Sequence, residues 1–396
     1  GMQKFLTNRS GPYSNTAACS GELFWSGFKR RVKVASDRQH QSQKTRTPQR
    51  DEQRESIEME PLMSGPTDNY PTIILSGTDP DLPDDYSNDF SKYKNFQEMA
   101  RGGSALLQSC WDSIMGRTVA LKTLLPRTST NPSERRRFLR EARVTSQLAH
   151  PATVPVYEIG RTDEGYLYFT MKCIAGENLF KILQRLSWGD KSAEREYPLH
   201  QLIDMLLQAA QALAYAHVHG VVHRDVKPEN IWVGKFGEVI LLDWGVAKVW
   251  GQSDKDAIPT EDLDHRLATS KDKQLQTLTL EGQRPGTPLY MSPEAVLGNR
   301  NIDERTDIFS FGVLMYEMLT FSEPFRGPTI RHTFDNIVNF SPPSMLKKAP
   351  ARNIPEPLDR IVRKAIEKDP IDRYESMLDM IDDLRATRHE LLAASD

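Results

Sequence analysis

The sequence predicts an α+β fold: a small strand-rich part carrying one main helix, then a larger and mostly helical part. Three observations predict it. Two apolar runs rich in β-branched and aromatic residues, Thr118–Lys122 and Tyr166–Ile174, flank a charged helical segment that opens at Ser133-Glu134. Beyond them, residues 199–219 place Leu202, Ile203, Leu206, Ala210, Leu213 and Ala214 at the 3–4 spacing of a long buried helix. The composition, 38% hydrophobic and 27% charged over 396 residues, suits a folded soluble chain. At roughly 100–200 residues per domain the length allows two or three domain-sized units.

The first of these units, residues 1–89, does not read as a domain. Its first fifty residues carry ten Lys and Arg, among them Lys29, Arg30, Arg31 and Lys33, against two acids, Glu22 and Asp37. Residues 51–89 reverse the balance, with eleven acids against Arg54. Charge blocks with scattered Pro, Ser and Gly bury too little apolar surface to offset chain entropy. The region is expected to be a disordered or loosely docked tail. A basic block can meet an acidic partner, nucleic acid or anionic lipid, or simply act as a solvated linker.

The whole chain has a formal net charge of −3, which gives no overall bias towards nucleic acid or membrane. Cys19, Cys110 and Cys173 are far apart and form no CxxC pair. That argues against a disulfide scaffold or a thiolate zinc site and fits a reducing compartment. No run of ~18 apolar residues suggests a membrane helix, and no apolar run near the N-terminus suggests a signal peptide. A cytoplasmic location is the expectation. Gly1 before Met2 reads as a tag-cleavage scar, which leaves open a membrane segment beyond Asp396.

Regular structure is expected from about Phe90. The run Thr118-Val119-Ala120-Leu121-Lys122 reads as a strand ending in a lysine. Such a lysine is unremarkable by itself. Nineteen residues on, however, Glu141 lies in a helical segment with Phe138, Leu139, Ala142, Val144 and Leu148. A strand Lys paired with a helix Glu can hold the α- and β-phosphates of ATP. The long helix 199–219 is stopped by Gly220. His217 and His219 fall in its last turn and read as packing or capping residues. Directly after it stands His223-Arg224-Asp225-Val226-Lys227-Pro228-Glu229-Asn230, and after the strand-like Val239–Leu242 stands Asp243-Trp244-Gly245.

Asp225 to Asn230 has the spacing of the kinase catalytic loop, H-R-D-x-x-x-x-N. On these residues the chain resembles a eukaryotic-type Ser/Thr protein kinase of the kind found in bacteria, over roughly residues 92–388. Asp-Trp-Gly, in place of Asp-Phe-Gly, is similar to a subset of bacterial members. The resemblance implies a two-lobed kinase fold: a small antiparallel β lobe at 90–174 and a larger helical lobe at 175–390. It implies ATP with Mg²⁺, or Mn²⁺ in its place, and protein substrates with Ser or Thr hydroxyls. It also implies roles. Asn230 and Asp243 would hold the metal through hard oxygen ligands. Asp225 would accept or orient the substrate hydroxyl proton, and Lys227 would neutralise the γ-phosphate. Lys122 and Glu141 would serve the other phosphates. Ala120, Leu107, Met171 and Cys173 would line the adenine site. His223 and Trp244 would pack together. Lys227-Pro228-Glu229-Asn230 resembles the Ser/Thr class.

The phosphate loop departs from G-x-G-x-x-G-x-V. The aligned residues run from Ala100 to Leu107, where Gly102 matches, Ala100 and Ala105 replace glycines, and Leu107 stands for Val. These replacements, with Trp244, keep open a second reading: a pseudokinase acting as a binding or scaffold module. A small-molecule kinase is disfavoured by Gly286-Thr287-Pro288 with Ser292-Pro293-Glu294, which resembles the substrate-docking end of a protein kinase activation segment. Thr287 matches the hydroxyl that bridges the catalytic Asp and Lys. Asp307 resembles the aspartate that braces the catalytic loop, and Arg373 the ion-pair partner of Glu294. Asp243 to Glu294 spans 52 residues, and its polar excess near 251–276 reads as an insertion. Thr277 and Thr279 are the autophosphorylation candidates, since a phosphate there could pair with Arg224. Incubation with Mg·ATP should therefore add phosphate to the 270–285 peptide. Mass spectrometry checks it, and an unmodified peptide from an active enzyme excludes it.

Overall fold

The computed structural model describes Leu82 and residues 88–249, 288–299 and 302–393. The rest of the tail, the 251–276 insertion, Thr277, Thr279 and Thr287 lie outside the described residues. β1 (Tyr93–Arg101), β2 (Ala105–Asp112), β3 (Arg117–Leu124), β4 (Val156–Arg161) and β5 (Leu167–Lys172) form an antiparallel sheet in the order β1-β2-β3-β5-β4. β5 lies inside the sheet between β3 and β4, and Leu167, Tyr168, Phe169 and Thr170 are all buried. Burial on both faces explains why its sequence is a continuous apolar run and not an alternating one.

After the short helix α1 (Pro126–Ser129) comes the main small-lobe helix, α2 (Pro132–Gln147). It begins one residue before the expected Ser133, because Pro132 fits the first helical position, where no N–H is needed. The Asn131 side chain caps it by accepting the Ser133 N–H at 2.9 Å. Phe138, Leu139 and Ala142 pack with Leu124, Leu167 and Phe169 of the sheet, whereas Val144 and Leu148 belong to the core of the large lobe. One helix thus packs into both lobes.

β6 (Gly176–Asn178) leads into the large lobe, followed by α3 (Leu179–Ser187), α4 (Lys191–Glu196) and α5 (Leu199–Val218). α5 stops at Gly220, whose φ of +75° suits a residue without Cβ. β7 (Val221–Val222), β8 (Ile231–Gly234), β9 (Val239–Leu241) and β10 (Lys248–Val249) then form two small sheets, β6-β8-β9 and β10-β7. Helix Arg305–Thr320 is buried from Thr306 to Thr320 and forms the lobe's centre. Its apolar residues run all round the helix, as a core helix requires. No helix among the described residues is long and apolar enough to cross a membrane.

Arg373 and Glu294 form the buried ion pair expected from the sequence. Arg373 Nη1 and Nη2 meet the two Glu294 oxygens at 2.9 and 2.8 Å. Arg373 also donates to the carbonyls of Arg305, Glu367 and Lys368, and Glu294 accepts from the Thr306 hydroxyl. Burial resists ionisation of Glu294, but Arg373 and Thr306 outweigh it and hold the carboxyl below the usual glutamate range. With so many satisfied bonds, removal of one partner leaves a buried charge and several open carbonyls. Arg373→Ala should lose about 3–5 kcal/mol of unfolding free energy, read from a shifted urea midpoint.

Candidate active site

Two clusters face each other where the lobes meet. In the small lobe, β3 presents Lys122 and α2 presents Glu141; Lys122 Nζ lies 2.5 and 2.7 Å from the two Glu141 oxygens. Burial works against the Lys122 ammonium, but Glu141 and then Asp243 outweigh it and hold the lysine above its usual range. In the large lobe, the loop between β7 and β8 folds Asp225, Lys227 and Asn230 into one network. Lys227 Nζ donates to Asp225 Oδ2 at 2.6 Å. Asn230 Nδ2 donates to the Asp225 backbone carbonyl at 2.8 Å and to Asp225 Oδ2 at 3.0 Å. Burial pushes the Asp225 carboxyl up, opposed by Lys227 and reinforced by Asp243.

Asp243 joins the clusters. Burial opposes its ionisation, but Lys122 from one lobe and Lys227 from the other hold it below the usual aspartate range. It adopts φ +66°, and Arg224 adopts φ +67°. A left-handed non-glycine residue costs of order 1–3 kcal/mol and persists only where its surroundings enforce it. The Leu242 N–H, next to Asp243, donates to the Asn230 carbonyl at 2.8 Å and ties the two segments together. A Cβ added at Gly245 would lie 3.2 Å from Asp243 Oδ1 and 3.6 Å from Glu141 Oε2, so the turn after Asp243 is close-packed.

The loop is held from below by Asp307. Its Oδ2 accepts the His223 N–H at 2.7 Å and its Oδ1 the Arg224 N–H at 2.8 Å. His217 Nε2 donates to Oδ2 at 2.8 Å. The His223 ring packs against Trp244 at an interplanar angle of 59° with centroids 4.5 Å apart, and both residues are fully buried. His223 Nδ1 accepts the Asp225 N–H at 3.2 Å, and Nε2 lies 3.0 Å from the Leu242 carbonyl. Both bonds are satisfied when the ring carries its proton on Nε2.

The remaining sequence-predicted residues take their places along the sheet. Ala120 is paired with Met171 across β3 and β5, and Leu107 with Lys122 across β2 and β3. Gly102 opens the turn from β1 to β2, where its N–H donates to the Ala105 carbonyl at 2.9 Å. Cys173 follows the end of β5 and is half-buried. Among the described residues, no three His, Cys, Asp or Glu side chains could hold a metal together. A divalent metal held beside phosphates can take only one or two protein oxygens, with phosphates and water supplying the rest. Asp243, held ionised, and the Asn230 amide oxygen are donors of that kind.

Residues 93–383 match the family model of the protein kinase domain. The chain belongs to the protein kinase family. This family uses ATP with a divalent metal. The kinase domain is similar to the serine/threonine-protein kinase PknD of Protochlamydia amoebophila, with 36% identity over 296 residues, 74% of this chain and 29% of that protein. For the PknD of Chlamydia pneumoniae the identity is 35% over 303 residues, 74% of this chain and 31% of the relative. For that of Chlamydia muridarum it is 34% over 295 residues, 73% and 31%. The chain spans about three tenths of the length of these curated relatives.

Sequence reasoning missed two contributors. Arg137 lies four residues before Glu141 on α2, and its Cγ comes within 3.5 Å of a Cβ built at Gly245; the shared helix face was the available signal. His217, read as packing or capping, is a hydrogen-bond donor to Asp307, a pairing across 90 residues that no local pattern signals. Burial works against the Asp307 carboxylate, but the His217 hydrogen bond and then His223 hold it below the usual range. The folded carboxyl therefore binds its proton less tightly than the unfolded one, whose pKa is about 3.9. Its contribution to stability is complete above that value and is lost as pH falls through the folded one. The stability lead of wild type over Asp307→Asn should be largest near neutral pH and shrink below about pH 4, as urea titrations across pH would read.

Proposed function

We propose that this kinase domain transfers the γ-phosphate of ATP to Ser or Thr hydroxyls of protein substrates. The observation that carries the reading is the convergence of Lys122–Glu141 and Asp225–Lys227–Asn230 on Asp243. Phosphoryl transfer spreads negative charge over the reacting oxygens, so it needs fixed cations and aligned groups more than covalent chemistry. ATP with its metal supplies the transferable group and the divalent charge.

The chain's own residues supply the rest. Lys122, oriented by Glu141, offers a protonated ammonium to phosphate oxygens. Asp243 and Asn230 offer hard oxygen donors that suit Mg²⁺, or Mn²⁺ in its place. Asp225 receives the proton of the substrate hydroxyl; its raised pKa makes it a better base than an ordinary aspartate once ionised. Lys227, already on Asp225 Oδ2, orients that carboxylate and brings positive charge beside the acceptor oxygen. Ala120, Leu107, Met171 and Cys173 form the apolar surround for the adenine, and Gly102 the turn above the phosphates. Thr287 would complete the group beside Asp225, and Thr277 and Thr279 remain the sites proposed for autophosphorylation. Ser/Thr specificity is supported by Lys227-Pro228-Glu229-Asn230 and by the similarity to serine/threonine-protein kinases. Cys110 and Cys173 are free thiols, which supports work in a reducing, cytoplasmic compartment.

The test compares the full chain with Asp225→Asn, using Mg·ATP and a generic protein substrate. The variant should keep its fold by circular dichroism and lose roughly 10²–10⁴-fold in turnover. Equal, near-zero turnover from both proteins after phosphatase treatment and activation would favour the pseudokinase reading. Replacing Mg²⁺ with Mn²⁺ in the same assay ranks the metals.

A further inference from the structure

Leu82 stands eleven residues before the matched kinase domain begins, yet it is only 9% exposed. It belongs to the apolar cluster that contains Phe138, Leu139 and Ala142 of α2, the three residues on either side of and next to Glu141's turn. It also borders a cleft with Ser146 of α2 and with Val156, Tyr157 and Ile159 of β4. Leu82 thus fills the angle between the helix and β4, the edge strand of the sheet among the described residues.

The backbone there is tied down at two points. Arg161, at the end of β4, donates from Nη2 to the Leu82 carbonyl at 3.1 Å. Asn88 donates from Nδ2 to the Arg161 carbonyl at 3.0 Å and to the Tyr168 hydroxyl at 3.1 Å, and its Oδ1 accepts the Arg161 N–H at 3.0 Å. The Asn88 amide therefore pairs with both main-chain groups of Arg161 at the open edge of the sheet, as a further strand would. These bonds fix Leu82 and Asn88 each against the end of β4.

The helix has reason to need it. α2 is strongly charged, and its buried face consists of Phe138, Leu139, Ala142, Val144 and Thr145. Only three of these reach the small-lobe cluster. We propose that Leu82 is a positioning residue supplied from before the kinase domain: seated between α2 and β4, it holds α2 so that Glu141 stays on Lys122. A residue that the sequence reads as tail is then part of the ATP-handling device, and its removal from that seat would loosen α2. The kinetic consequence rests on the proposed kinase activity; the structural one does not.

The test uses the full chain with Leu82→Asp, which puts a charge in the apolar seat, and Leu82→Met, which keeps an apolar plug. Two readouts are taken. Hydrogen exchange follows the backbone amides of 134–147, and steady-state assays follow kcat and KM for ATP and for a protein substrate. Leu82→Asp should speed exchange across α2 while β1–β3 and the large lobe keep wild-type protection. It should lower kcat/KM for ATP roughly fivefold or more and leave the KM for protein substrate unchanged. Leu82→Met should restore both towards wild type. Wild-type exchange in α2 of Leu82→Asp would overturn the proposal, as would faster exchange spread over the whole domain, which marks a general stability role. Absence of turnover in wild type would refute the kinase reading instead, and the exchange of α2 would still decide the seat of Leu82.

Discussion

Asp307, itself fully buried, accepts the backbone N–H groups of His223 and Arg224 and a ring N–H of His217, all at 2.7–2.8 Å. Few contacts in the molecule constrain so much. Two consecutive peptide donors aimed at one carboxylate leave the chain little choice of direction, and Arg224 is driven into left-handed φ as a result. The next residue, Asp225, emerges on the far side, towards Asn230 and Lys227. The carboxylate sits on a helix that is buried from Thr306 to Thr320, so the loop is referenced to a close-packed part of the core.

From that anchor the order passes outward through shared partners. His223 binds the Asp225 N–H through one ring nitrogen and meets the Leu242 carbonyl through the other, with Trp244 against its face. Asn230 holds Asp225 with its side chain and Leu242 with its carbonyl. Asp243 is thereby placed between Lys227 of one lobe and Lys122 of the other. Each carboxylate in the site is opposed by an ammonium, so the interior tolerates the charge that burial alone would neutralise. The Trp244 indole N–H, by contrast, finds no hydrogen-bond partner among the described residues. A phenylalanine there would avoid that cost, and the structure offers no compensating bond for the tryptophan.

The chemistry was largely legible because it is local. Asp225, Lys227 and Asn230 lie within six residues, Asp243 stands at the end of an apolar run, and Lys122 follows a short apolar run, although β3 continues past it to Leu124. The strands β3 and β5 and the helices α2 and α5 announced themselves by period and composition. β1 and β4 did not: β1 is exposed after Tyr93, and β4 alternates only loosely, so neither carries a clear apolar signal. Leu82 was invisible for a different reason. One leucine in an acidic, proline-containing stretch has no periodic companions, and its burial depends on a cleft made by distant residues.

The sequence by itself determined the residue types and spacings of the reacting groups, the strand and helix that carry Lys122 and Glu141, and the place where the long α5 helix stops. Those depend on backbone propensity and on neighbours within a few positions. Only the tertiary structure decided that Lys122 reaches Glu141, that Asp243 lies between two lysines from different lobes, that His217 serves Asp307, and that Leu82 belongs to the α2 core. These join residues 16 to 121 positions apart, from Lys227 with Asp243 to Lys122 with Asp243. Such contacts follow from how the whole core closes, which no local stretch of sequence can express.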